Sequence, residues 1–169
     1  MANTYILIEA KTLGSNTASV TFSSIPQTYT DLIMRFSVKS TGVRTATGVN
    51  LSFNGSSSSF SGIRMYGTGT GTGTYSSGNF AFAAVGTQTA ANNNFNNGDI
   101  YIPNYTSSNY KSYSDDDVTE NNATDAIQDF NAGLWSNTAA ITSITFTVDT
   151  SGEFLTSGST FYLYGISNS

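Results

Sequence analysis

Apolar residues in this chain recur at every second position, a period that only extended backbone can use. Val20 and Phe22 alternate with Ser19, Thr21 and Ser23, and Leu32, Met34, Phe36 and Val38 with Ile33, Arg35, Ser37 and Lys39. Val49, Leu51 and Phe53 alternate with Asn50, Ser52 and Asn54, and Ile144, Phe146 and Val148 with Thr145, Thr147 and Asp149. Successive side chains of a strand point to opposite faces, so each stretch reads as a strand with one dry and one polar face, as in antiparallel sheets. The last strand, residues 160–166, carries Phe161 and Leu163 on one face and Tyr162, Tyr164 and Ile166 on the other. It is expected to be buried on both sides, inside a sandwich or at a subunit contact. Weaker strands are expected over residues 5–10, 63–66, 79–85, 100–105, 111–120 and 126–135.

Turn chemistry separates these runs: Leu-Gly-Ser-Asn at 13–16, Asn54-Gly55, Asn97-Gly98-Asp99 and Thr150-Ser151-Gly152. No window of a dozen residues carries a helical stripe. The predicted fold class is therefore all-β, a single antiparallel β-sandwich domain over residues 1–169, with a jelly roll as the expected form. A chain of 169 residues buries roughly two-thirds of its unfolded surface, enough for a true core.

Only 10% of the residues are charged, against about a quarter in an average domain. Their place is taken by 25 Ser, 25 Thr and 17 Asn, which predicts a neutral, well-hydrated surface. The net charge of −5 and six dispersed basic residues exclude the clustered Lys and Arg that nucleic-acid binding needs. No apolar stretch approaches the roughly 20 residues of a membrane-spanning helix, so neither nucleic acid nor membrane insertion is expected. The N-terminus lacks a basic region followed by a long apolar run, so export by an N-terminal signal is not expected.

Reactive side chains are scarce. The chain has no His and no Cys, which removes Ser-His-Asp and Cys-His machinery, disulfides, and His- or thiolate-ligated metals. A Ser-Lys dyad would need a desolvated lysine, and Lys39-Ser40 stands at a strand end before Gly42. Paired carboxylates on a sugar groove are the remaining route to catalysis and the least favoured reading; the chain is expected not to be an enzyme and to use no cofactor. Asp115, Asp116, Asp117, Glu120 and Asp125 form the one acidic cluster. It does not fit the EF-hand spacing, which needs Gly at the sixth position and Glu at the twelfth. In a strand, Asp115 and Asp117 share a face and Asp116 takes the other. The expectation is that these carboxylates are solvated or paired with bases such as Lys111, with no essential metal.

Candidate contact residues come from two sources. Tyr101, Tyr105, Tyr110 and Tyr113 cluster in a Ser/Asn-rich stretch, and Tyr162 and Tyr164 stand on the last strand. Tyrosine joins apolar area to a hydroxyl and is favoured at interfaces, so these six are expected at subunit or ligand contacts. The Gly-Thr repeat from Gly67 to Thr74 and the Asn-rich residues 87–98 are expected as surface loops, the first as a mobile tip able to touch a partner. Trp135, in Gly-Leu-Trp-Ser, reads as a core or interface anchor.

Three blocks carry a family resemblance. Residues 4–8 (Thr-Tyr-Ile-Leu-Ile) with 12–15 (Thr-Leu-Gly-Ser) open the chain, and residues 18–32, containing Ile25-Pro26 and Asp31, follow. Residues 133–144, with Trp135, and 158–166 (Gly-Ser-Thr-Phe-Tyr-Leu-Tyr-Gly-Ile) close it. Together they resemble a family of structural proteins from tailed bacteriophages, including phages of cyanobacteria. The resemblance covers about a third of the chain and both its ends. It implies a virion-surface protein of about one jelly-roll domain and brings no catalytic residues. The expected role is head decoration or cement, as a homotrimer bound to other virion proteins such as the major capsid protein. The alternative is a tail-fibre or adhesin-type module that binds host glycans.

Overall fold

A computed structural model describes residues 4–42, 47–82, 94–120 and 126–167. The regular elements among them are strands: β1 (Tyr5–Thr12), β2 (Ser19–Phe22), β3 (Asp31–Val38), β4 (Val49–Phe53), β5 (Phe60–Thr68), β6 (Gly71–Ser77), β7 (Phe80–Phe82), β8 (Asn96–Ile102), β9 (Lys111–Glu120), β10 (Ala126–Trp135), β11 (Ile144–Val148) and β12 (Thr160–Ile166). They form an eight-stranded sheet, β1-β12-β3-β8-β9-β10-β5-β6, and a four-stranded sheet, β2-β11-β4-β7. Neighbours pair antiparallel throughout. Four pairs nest inside one another along the chain: β1 with β12, β2 with β11, β3 with β8, and β4 with β7. The hairpins β5–β6 and β9–β10 are inserted between them and widen the larger sheet.

The period-two residues meet between the sheets. The small sheet supplies Val20, Phe22, Val49, Leu51, Phe53, Ile144, Phe146 and Val148; the large one supplies Leu32, Met34, Phe36, Val38, Ile100, Phe161 and Leu163. Phe146 stacks on Phe161 across the gap, ring centroids 5.8 Å apart. At one end Phe53, Phe60, Tyr113 and the buried Trp135 form an aromatic group with centroids 5.5–6.4 Å apart. The small sheet's outer face is polar, as its alternation requires, with Thr21 and Thr145 hydrogen-bonded to each other.

Asn54 and Gly55 both have positive φ, 53° and 75°, and form a two-residue turn between Phe53 and Ser56, the mirror-image type that suits twisted hairpins. The Asn54 side chain also accepts from the Thr142 and Ser143 amides and donates to the Ala140 carbonyl, which ties residues 140–143 to the turn. At the other corner, Asp31 accepts from the Tyr101 hydroxyl (2.7 Å) and the Asn104 amide (2.8 Å), and Tyr105 donates to the Pro26 carbonyl.

Two expectations are corrected. The Gly-Thr repeat is not an irregular surface loop. It forms the end of β5, a tight turn and most of β6, in register with β5 from Gly62↔Ser77 to Thr68↔Gly71. Thr68 Oγ1 accepts the Thr70 and Gly71 amides and holds the turn. On one face the Tyr66 ring lies over Gly73, where an added Cβ would stand 2.5 Å from its hydroxyl. Asn97-Gly98-Asp99 is likewise not a turn but the interior of β8. Gly98 sits where a Cβ would meet the Asp116 carbonyl at 2.5 Å and the Phe36 ring at 2.7 Å. Of the Asn-rich stretch, 94–98 lead into and form β8; residues 87–93 lie outside the described residues, as does Asp125. Strand β12 lies between β1 and β3. Its inner face is buried, and on its outer face Ile166 is buried, Tyr164 half-buried and Tyr162 exposed.

Candidate functional site

The outer face of the eight-stranded sheet is built from side chains brought into rows by the strand register. One row reads Tyr162, Arg35, Asp99, Asp116, Phe130, Met65 and Thr74, from β12 across to β6. The row on one side includes Tyr101, Ser114, Ala132 and Ile63; the row on the other includes Asn97, Val118, Gln128 and Gly67. Met65, Ile63, Val118 and Phe130 are 53%, 48%, 47% and 45% exposed. Three of them, Ile63, Met65 and Phe130, adjoin through the β5–β10 register. Isolated exposed apolar side chains are ordinary, whereas a contiguous group rimmed by polar residues marks a binding surface.

Met65, Phe130, Gln128, Gly67, Thr72 and Thr74 line a cleft of about 510 Å³ on this face. Beside it Asp99 and Asp116 stand directly opposite each other on β8 and β9. Like charges so placed repel. Burial and Asp116 raise the Asp99 pKa while Arg35 lowers it, with burial the largest cause. Gln128 donates to Asp116 at 3.4 Å. The patch thus combines a flat apolar centre with carboxylate, amide and guanidinium groups along one margin.

The opposite face of the same strands is more unusual. Lys111, Tyr113, Asp115, Asp117 and Thr119 of β9 all point inward and are buried, as are Asp129 and Asn131 of β10 and Asn96 of β8. The acidic segment therefore lies in a strand, as expected, but Asp115 and Asp117 are not solvated, and Lys111 does not pair with them. The Lys111 ammonium instead donates to the carbonyls of Ser107 (2.6 Å), Asn109 (2.5 Å) and Thr138 (3.5 Å), and burial lowers its pKa. Asp129 holds Arg64 through two hydrogen bonds of 2.6 and 2.8 Å, and Arg64 stacks on Tyr66. Asn131 donates to Asp115 at 2.5 Å and Asn96 to Asp117 at 2.9 Å. Burial first, and the neighbouring Asp117 second, hold the Asp115 carboxyl well above the usual carboxylate range. Among the described residues, no group of three or more His, Cys, Asp or Glu side chains could hold a metal ion.

The structure separates the residues expected at contacts. Tyr105 and Tyr113 are buried in the core and present no surface to a partner. Tyr113 instead covers Gly133, where an added Cβ would lie 2.0 Å from the ring. Tyr101 and Tyr164 are half-buried, and Tyr110 and Tyr162 are exposed. The hydrogen bond to Asp31 raises the Tyr101 pKa to about 12. Gly67 and Thr74 both line the outer cleft. Sequence reasoning missed Ile63, Met65 and Phe130, because an apolar residue on a strand reads as core. The signal lay in Gly62 and Gly133, which mark the opposite, crowded side of the same strands.

No protein-family model, curated protein or solved structure matches this chain. The candidate surface is therefore defined by its own geometry, the outer patch on β5, β6, β9 and β10. Among the described residues, no helix is long and apolar enough to cross a membrane.

Proposed function

We propose that this chain is a non-enzymatic structural component of a bacteriophage virion surface, a head decoration or cement protein that assembles as a homotrimer against the major capsid protein. The observation that carries this reading is the exposed apolar patch of Ile63, Met65 and Phe130 on the inserted hairpins. Surface of this kind is costly in a free monomer and is covered on assembly. A protein that binds only the assembled shell stabilises it by mass action. The nested strand pairs support a jelly-roll fold: without the two inserted hairpins, the sheets are β1-β12-β3-β8 and β2-β11-β4-β7. The non-enzymatic reading is favoured by Lys111, whose ammonium is fully engaged by carbonyls.

A second reading, a tail-fibre or adhesin-type module for host glycans, is favoured by one feature of the same patch. Phe130 can stack on a sugar ring while Asp99, Asp116, Asn97 and Gln128 offer hydrogen-bonding groups beside it. Copy number in purified particles separates the two, measured by quantitative mass spectrometry. Decoration requires hundreds of copies per particle, a tail module tens or fewer. A protein absent from particles overturns both.

A further inference from the structure

The buried polar group between β8, β9 and β10 has a surplus of acceptors. Asp115 and Asp117 share one face of β9, and Asn131 stands directly opposite Asp115. Asp115, Asp117, Asn131 and Asn96 are 3%, 1%, 6% and 0% exposed. Asn131 and Asn96 each turn an amide NH2 onto a carboxylate. That leaves Asn131 Oδ1, Asn96 Oδ1 and Asp115 Oδ1 buried without a hydrogen-bond partner. Buried polar atoms in native proteins are almost always satisfied, and orphans cluster where a water or an ion belongs.

On this inner face Arg64 is held by Asp129, Lys111 by three carbonyls and Lys11 by Glu9. Asp129 is held by Arg64 through two hydrogen bonds. Beside that pair stand two carboxylates and two amide oxygens, carried by three adjacent strands. A shared proton could satisfy the contact between Asp115 and Asp117 but would leave both amide oxygens orphaned. A hard cation can take carboxylate and amide oxygens together.

We propose that Asp115, Asp117, Asn131 and Asn96 form an internal calcium site on the inner face of the large sheet. All its donors are oxygens, which selects a hard ion over zinc or copper. Calcium accepts irregular sets of about six to eight oxygens, whereas magnesium demands near-ideal octahedral geometry and keeps its waters, which a site enclosed between sheets does not favour. A half-turn of either amide exchanges its NH2 for its oxygen without moving the backbone, so the ligands can reorganise locally. The site is independent of the role read for the outer face.

The test is calcium titration of the chelator-stripped full chain, followed by calorimetry and thermal unfolding. Saturable binding is expected, with Tm raised by roughly 5–10 °C at about one hundred times the dissociation constant. Magnesium should give a smaller shift. Asp117→Asn should abolish the calcium response while keeping the far-UV circular dichroism of the wild type. Asp116→Asn, on the opposite face of the same strand, should leave the response intact. Absence of binding heat and of any Tm shift in the wild type overturns the proposal, whether or not Asp117→Asn folds. Loss of the response in Asp116→Asn also overturns it, by placing the ion on the outer face. If chelator-stripped Asp115→Asn is more stable than wild type at neutral pH and calcium shifts neither, the carboxylate pair is neutralised by a proton and the site is not a metal site.

Discussion

Glycine and tyrosine act as partners in this sheet. Tyr113 covers Gly133, Tyr66 covers Gly73 and Tyr29 covers Gly165, so each ring occupies space that a neighbouring strand leaves by having no side chain. Gly98 is less able to yield than these positions, because its nearest obstacle is the Asp116 backbone and not the movable end of a ring. Gly98→Ala is expected to destabilise the domain by about 3 kcal/mol, at the upper end of overpacking costs, and Gly133→Ala by about 1–2 kcal/mol because Tyr113 can shift. Gly67, with nothing within 4 Å of an added Cβ, should tolerate alanine with a gain of up to about 0.5–1 kcal/mol from the less flexible unfolded chain. Denaturant midpoints of the three variants check the order, and a neutral Gly98→Ala would contradict the packing described.

The β5–β6 hairpin sets the difference between a period read from sequence and a strand seen in the fold. Shortening residues 67–74 to a two-residue Gly-Asn turn removes the rungs Tyr66↔Gly73 and Met65↔Thr74 and uncovers the Tyr66 ring. A loss of about 1–3 kcal/mol is expected, with the domain still folded because β5 remains paired with β10; hydrogen exchange at residues 64–66 should speed up in parallel. The bounds of β9, β10 and β12 were legible to the residue, and the faces of β3 and β11 because Leu32, Met34, Phe36 and Val38, and Ile144, Phe146 and Val148, leave no second choice. Strand β6 was hidden because it has no apolar alternation: Gly71 and Gly73 stand where apolar residues would mark a strand, and the cover over Gly73 comes from Tyr66 on another strand. The burial of Asp115 and Asp117 was hidden for a related reason. Hydropathy alone would turn Val118 inward, whereas Tyr113 and the cross-strand Trp135 fix the opposite face as the inner one. The outer patch was only half legible: Gly67 and Thr74, named as loop contacts, line its cleft, but Met65 and Phe130 were not singled out.

At the scale of the molecule, the large sheet ends, among the described residues, in two edge strands, β1 and β6. Tyr5 and Leu7, on β1, are 57% and 50% exposed. Uncovered edges invite pairing with another chain, and together with the outer patch they are the surfaces a symmetric trimer would close. Light scattering of the purified chain is expected to give three times the monomer mass, and Phe130→Ser with Met65→Thr to shift it toward monomer without lowering the unfolding temperature of the dissociated domain. A wild-type monomer at high concentration, with no trimer on particles, would refute the assembly. The nested pairing also fixes a timetable for a growing chain. The hairpins β5–β6 and β9–β10 close short loops and can form within about 1–10 μs of emerging. Strand β1 has to wait for β12, and β2 for β11, so contacts of the greatest sequence separation come last and slow folding into the range of roughly milliseconds to seconds. Until translation has delivered β11 and β12, β1 and β2 lack their hydrogen-bonded partners and the core cannot shut.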